Sequence, residues 1–222
     1  MPEFEFETPF LISCIAKRGS GKSVLTKYLV RHWIGEGLFQ EVFAFTNTNE
    51  VNNEYDYLKK KNILDRFDEK KLVKLMEIQK KAIKKYGKKS NKVKKILIIM
   101  DDIIGSLDKG SKALREIITQ GRHYMISLIL NIQISKKEIS PEFKQNSDYF
   151  LVGYNNRSSY KALYDEFQFD GNLSQFCEFL HNNVTDHNFV LYINKVIDDP
   201  DIRKRYKIIK ADTTDLDNFK LR

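Results

Sequence analysis

Residues 16–23 read Ala-Lys-Arg-Gly-Ser-Gly-Lys-Ser and follow the apolar run Phe10-Leu11-Ile12-Ser13-Cys14-Ile15. Such a run predicts a strand, and Val24, Leu25, Tyr28, Leu29 and Trp33 behind the octet recur at helical spacing. In a strand–loop–helix of this kind, backbone N–H groups turn inward and the positive end of the helix faces an anion. Gly19 and Gly21 admit backbone angles that side chains resist. The segment from Ala16 through Lys17, Arg18, Gly19, Ser20, Gly21, Lys22 and Ser23 to Val24 is therefore expected to bind a nucleotide by its phosphates. Lys22 would reach the β- and γ-phosphates, and the Ser23 hydroxyl would hold Mg²⁺. Ala16 stands where this pattern usually opens with Gly, and its methyl is small enough to be accommodated. The alternative is a glycine-rich turn that carries Lys-Ser by coincidence.

The complement of that loop is an acid at the end of a neighbouring strand. Ile96-Leu97-Ile98-Ile99-Met100 is a continuous apolar run, as in a parallel strand buried on both faces, and it ends in Asp101-Asp102. Asp101 is expected to hold Mg²⁺ together with Ser23, and Asp102 to polarise a water for attack on the γ-phosphate of ATP. The alternative is an acidic pair opening a turn. Val42–Phe45 predicts a further strand between the two motifs, and Ile126–Ile132 another that ends at Gln133. The expected fold is α/β: a P-loop NTPase with a mostly parallel sheet flanked by helices and an extra strand between the Walker A and Walker B strands. This order resembles the group of P-loop ATPases with an inserted strand, and the resemblance implies that Gln133 senses the γ-phosphate or orients water; the alternative is a solvent-facing amide at a strand end.

Gly121-Arg122-His123-Tyr124, Ile126-Ser127-Leu128-Ile129, Gln133, Ile139-Ser140-Pro141 and Asn146-Ser147-Asp148-Tyr149-Phe150 follow Asp101-Asp102-Ile103-Ile104-Gly105 in that order. In this the chain resembles the genome-packaging ATPases of large double-stranded DNA viruses, of the poxvirus, giant-virus and virophage type, within the FtsK/HerA superfamily. The similarity runs from about residue 8 to residue 195. The resemblance implies a motor that spends ATP to move double-stranded DNA into a capsid through its packaging vertex. It also implies a homo-oligomeric ring, pentamer or hexamer, with ATP sites at subunit boundaries. Such sites take an arginine from the neighbour, and Arg122 is the first choice here, its alternative being a helix-end arginine on its own carbonyls; Arg18, inside the loop, is the second and would act on the γ-phosphate in its own subunit, and Arg157 is the third. The expected location is the virion or the host cytoplasm, in a viral factory.

Charge is unevenly distributed. The net charge is +8, yet residues 59–95 hold sixteen Lys or Arg against four Asp or Glu. A block this basic suits a polyanion such as DNA, or is a solvated lysine-rich surface. With no internal repeat and no Gly/Ser- or Pro-rich linker, residues 1–222 are expected to form one P-loop ATPase domain. Within it, about 50–95 is a helical basic insertion, and about 198–222 a charged tail, loosely held beyond about 211. Asp68 and Ser111 are expected N-caps, and Pro141 opens a helix. No apolar run reaches the length of a membrane span, and the acidic start is unlike a secretory signal. Two cysteines, Cys14 and Cys177, suit a reducing compartment, and the four histidines have no metal-like spacing. Other readings of the same loop are a cellular or plasmid DNA pump, a small P-loop kinase, and a nucleotide switch without turnover. A kinase would carry an arginine-rich lid, whereas the basic stretch here is almost all lysine.

Overall fold

The structure is a computed structural model and describes residues 4–47, 52–101, 111–132, 141–195 and 199–221. Its strands are β1 (Leu11–Ile15), β2 (Glu41–Thr46), β3 (Ile63–Leu64), β4 (Ile96–Asp101), β5 (Ile126–Ile132), β6 (Tyr149–Val152), β7 (Phe189–Ile193) and β8 (Tyr206–Ile209). Its α-helices are α1 (Lys22–Gly35), α2 (Glu69–Tyr86), α3 (Lys112–Gln120), α4 (Pro141–Asn146), α5 (Arg157–Tyr164) and α6 (Leu173–Asn183). The strands form one sheet in the order β3-β2-β4-β5-β1-β6-β7-β8. β3 through β6 in that order run parallel; β7 is antiparallel to β6, and β8 to β7. The expected P-loop α/β fold is therefore present, and the strand lying in space between the loop strand β1 and the acidic strand β4 is β5. No helix among the described residues is long and apolar enough to cross a membrane.

Period-two alternation divides the apolar strands between the two faces of the sheet. Ile96, Ile98 and Met100 join Leu72, Leu75 and Met76 of α2 and Leu114, Ile117 and Ile118 of α3 on one face. Leu97 and Ile99 join Leu25, Leu29 and Trp33 of α1 on the other. The aromatic rings of Phe6 and Phe10 lie 5.3 and 5.0 Å from Trp33 and seal the far end of α1. Asp68 and Ser111 cap α2 and α3 by accepting from Lys71 N and Leu114 N, as expected. Cys14 is a buried core thiol, and burial raises its pKa to about 12.

Two expectations are corrected. The 50–95 segment is not a purely helical insertion, because Ile63-Leu64 extends the sheet beside β2. Asn62 fixes that edge by donating its amide to the Val42 carbonyl at 3.0 Å. The tail beyond 211 is not loose either. Its charged residues are interrupted by Leu216, Phe219 and Leu221, which pack onto the α1 side of the sheet. Leu221 N donates to Tyr57 O at 2.6 Å, and Arg31 donates to Thr214 O at 2.6 Å.

Candidate active site

Every parallel strand ends at the same edge, so the loop after β1 and the acid ending β4 are brought together by topology. Ala16 N donates to Ile132 O at 3.2 Å and Lys17 N to Tyr154 O at 3.0 Å, which anchors the loop to the strands on either side. Gly19 and Gly21 have φ of 76° and 93° and turn the backbone into the start of α1. Gly21 is needed a second time. A Cβ there would sit 3.3 Å from Nδ1 of His187, whose turn after α6 covers the loop. Ala16 is fully buried, and its methyl occupies space left by Gly153, where a Cβ would approach it to 2.8 Å. The departure at position 16 is thus absorbed by a neighbouring strand.

Lys22 is 7 % exposed, and its ammonium donates to Ala16 O at 2.9 Å and to Lys17 O at 3.1 Å. It rests on the loop's own carbonyls, within the cradle that phosphate oxygens would fill. Ser23, Asp101, Arg18 and Lys22 line one cavity of about 670 Å³, which is the size range of small-ligand sites. Asn52, Glu54, His187, Lys210 and Thr213 close it from the sides. Lys210 is ion-paired with Asp186 there. The Ser23 hydroxyl and the Asp101 carboxylate are hard oxygen donors facing one space. That donor set fits Mg²⁺, which keeps waters and takes its remaining oxygens from phosphates.

Asp101 is 3 % exposed, and its Oδ2 accepts from the Tyr55 hydroxyl at 2.7 Å. Asn131 donates its amide to the same hydroxyl at 3.2 Å and contacts Thr26 Oγ1 at 3.3 Å. Burial first, then the Asp101 charge, push the Tyr55 phenol well above its ordinary pKa, so it remains a donor. Sequence alone does not single out Tyr55, Asn131, Thr26 or His187 for this site. Asn131 does carry a signal, as an amide in an otherwise apolar stretch of β5. Tyr55 lies in a segment without periodicity and carries none.

Asp102 and Gln133, the expected base and sensor, lie outside the described residues. Arg122 is at the opposite edge of the sheet from the loop. It follows α3, ahead of β5, and donates to Asp148 Oδ1 at 2.6 Å. Asp148 is 5 % exposed, and its other oxygen accepts from Leu11 N at 2.7 Å, so this pair fixes the start of β1. Arg18 and Arg157 are exposed. Arg157 opens α5 just beyond β6, on the loop's edge of the sheet.

The lysine block covers α2 and the turns after it. Lys84, Lys85, Lys88, Lys89 and Lys92 are exposed, and the Lys85 and Lys92 ammonium groups lie 5.1 and 5.3 Å from the exposed Tyr86 ring. Lys80 and Lys94 are engaged by Glu116 and Glu41 at 2.6 and 3.0 Å. Since α2 leads into the start of β4, its basic end lies at the edge away from the cavity.

Comparison with known proteins bears on the whole of this arrangement. The chain is similar to the genome packaging NTPase B204 of Sulfolobus turreted icosahedral virus 2 in complex with ATP-gammaS. The identity is 16% and the TM-score 0.64, covering 92% of this chain and 98% of that one. It is also similar to EssC (ATPases 2 and 3) from Geobacillus thermodenitrificans, at 15% identity and a TM-score of 0.58, covering 90% of this chain and 43% of that one. At these identities the likeness shows the fold. Curated proteins offer no match. The family described as Poxvirus A32 protein matches residues 4–214. The chain therefore belongs to the poxvirus A32 protein family, in keeping with the resemblance carried by Asp101-Asp102, Gly121-Arg122-His123 and the segments that follow them.

Proposed function

We propose that this protein is an ATPase whose hydrolysis drives double-stranded DNA into a viral capsid. The observation that carries the reading is the convergence of Lys22, Ser23 and Asp101 on one cavity beside the N-terminus of α1. On binding ATP, the Lys22 ammonium would exchange the Ala16 and Lys17 carbonyls for phosphate oxygens. The loop's N–H groups would hold the phosphates. Ser23 and Asp101 would hold Mg²⁺, which would neutralise charge on the phosphate oxygens. Asp102 and Gln133 are assigned the base and sensor roles from their places directly after β4 and β5.

The subunit is assigned to a closed ring in which a neighbour's arginine completes each site. Support for this comes from family membership. Arg122 fits that part as a residue remote from its own loop, with its Asp148 pair as a competing duty. Arg18 and Arg157 fit it as exposed cations at the nucleotide edge. The exposed lysines of α2 and its following turns are assigned to the DNA phosphates. The capsid is the partner, and the virion or the host cytoplasm the place, that this work requires.

ATP turnover measured with and without double-stranded DNA, beside the mass of the assembly, tests this reading. The expected result is a closed oligomer whose turnover rises on DNA of any sequence. A monomer that passes phosphate to a small acceptor and ignores DNA would overturn it. For the arginine, rings mixed from Arg122→Ala and Lys22→Ala subunits should regain part of the activity. Verified mixing without recovery would pass the role to Arg18 or Arg157.

A further inference from the structure

We propose that Tyr55 is a positioning residue for the metal half of the site, holding the Asp101 carboxylate in the orientation that Mg²⁺-ATP requires. This rests on reading Asp101 as the Mg²⁺ ligand. Tyr55 is 0 % exposed and comes from the segment between β2 and β3, remote from both sequence motifs. Its hydroxyl donates to Asp101 Oδ2 at 2.7 Å, a distance typical of a charge-assisted bond. The Asn131 amide donates to the hydroxyl oxygen from the other side, which directs the phenolic hydrogen toward the carboxylate. Asn131 is paired in register with Asp101 across β4 and β5, so the contact is set by the sheet.

The network continues to the other proposed metal donor. Asn131 contacts Thr26 Oγ1, and Thr26 lies three residues beyond Ser23 on α1, where side chains share a face. Thr26, Asn131, Tyr55 and Asp101 thus tie the helix bearing Ser23 to the strand bearing Asp101. A fixed donor on one oxygen restricts the turning of a carboxylate about its Cβ–Cγ bond. Its second oxygen is then presented in one direction before the metal arrives. Groups that orient a ligand in this way commonly change metal affinity about 10–100-fold when removed.

The test measures how Mg²⁺ tightens binding of a slowly hydrolysed ATP analogue to the full chain, with a metal-free arm in chelator. Tyr55→Phe keeps the buried ring and deletes the donor. The Mg²⁺ concentration for half-maximal tightening is expected to rise about 10-fold, with metal-free affinity unchanged. Asn131→Ala is expected to move it in the same direction by less, and it stands in if Tyr55→Phe does not fold. Tyr57→Phe, one ring away, is expected to leave it unmoved. Asp101→Asn is expected to lose most of the Mg²⁺ effect. If Asp101→Asn does so while Tyr55→Phe and Asn131→Ala match the wild type, the role of Tyr55 is overturned and the metal site stands. If Tyr55→Phe weakens metal-free and Mg²⁺-dependent binding alike, the hydroxyl supports the fold and the proposal fails. If the wild type shows no Mg²⁺ effect, the metal reading of Asp101 fails, and the proposal with it.

Discussion

Lys22 illustrates how a single side chain can hold two positions. Its contacts with Ala16 O and Lys17 O are worth little once phosphate oxygens are offered, because a charged acceptor binds an ammonium more strongly than a neutral carbonyl does. Lys22→Ala is expected to remove ATP turnover and weaken nucleotide binding while leaving the melting temperature close to wild type; unaltered turnover would dismiss the loop as the site. Tyr57 is the opposite case. Among the described residues its hydroxyl is buried without a hydrogen-bond partner. A desolvated hydroxyl costs about 1–3 kcal/mol, so Tyr57→Phe is expected to raise stability by about that amount in urea unfolding. A fall in stability would show that the hydroxyl is satisfied in solution. Arg122 is a structural residue whatever else it does. Arg122→Ala leaves the Asp148 carboxylate with less compensation, and stability is expected to fall by about 1–3 kcal/mol given the half-exposed guanidinium. Asp148→Asn in the same background should recover part of it. If Arg122→Ala melts like the wild type, the pair does not hold the fold.

At the scale of elements, strands and caps are legible in the sequence because their signals are local. Ile96–Met100 and Phe189–Ile193 are apolar without interruption and lie within core strands, and Asp68 and Ser111 precede amphipathic stretches and cap them. Val42–Phe45 lies within β2 for the same reason. The site is only half legible. The loop and the acidic strand are sequence motifs, whereas Asn131 enters through register between β4 and β5, and Tyr55 enters from a turn between β2 and β3 that only the folded chain brings to Asp101. The docked tail is not legible at all, because two or three apolar side chains among charges give no periodicity, yet suffice to pack against Tyr57. α2 also shows a limit of periodic reading. Its stripe is buried at Leu72, Leu75 and Met76 but reaches solvent by Tyr86. That exposed end is the part assigned above to the DNA phosphates. Reversing Lys84, Lys85, Lys88 and Lys89 to Glu is expected to weaken DNA binding on every sequence. It should also flatten the salt dependence, by about 0.9 in log–log slope for each phosphate that is no longer neutralised. Unchanged affinity and slope would make this a solvated surface and nothing more.

For the whole molecule, burial of ionisable groups sets a limit on the alkaline side. Cys14 is raised from 9.0 to about 12 by burial, with Lys22 opposing and Asp101 adding. Tyr57 is raised from 10.0 by burial and the Asp101 charge. Above pH 9 the unfolded chain loses the thiol proton while the folded chain keeps it. The unfolded state then binds fewer protons, and stability falls as pH rises. The expected slope approaches about 1.4 kcal/mol per pH unit for the thiol alone, visible as a falling urea midpoint between about pH 9 and pH 11. Cys14→Ala should flatten the first part of that fall; an identical profile in the variant would assign it to other groups.

The same sheet that buries these groups also separates two working edges. The phosphate loop stands at one end of β1, and the basic end of α2 stands at the far end of β4, a strand's length of about 20 Å away. A parallel sheet packed on both faces is a rigid element that can carry a change at one edge to the other. If the lysines carry DNA as proposed, force from the cavity is expected to arrive there as a tilt of the subunit. On the proposed reading, in mechanical terms, the protein would be a lever with its fuel at one end and its load at the other, its stroke set by how neighbouring levers pivot against one another.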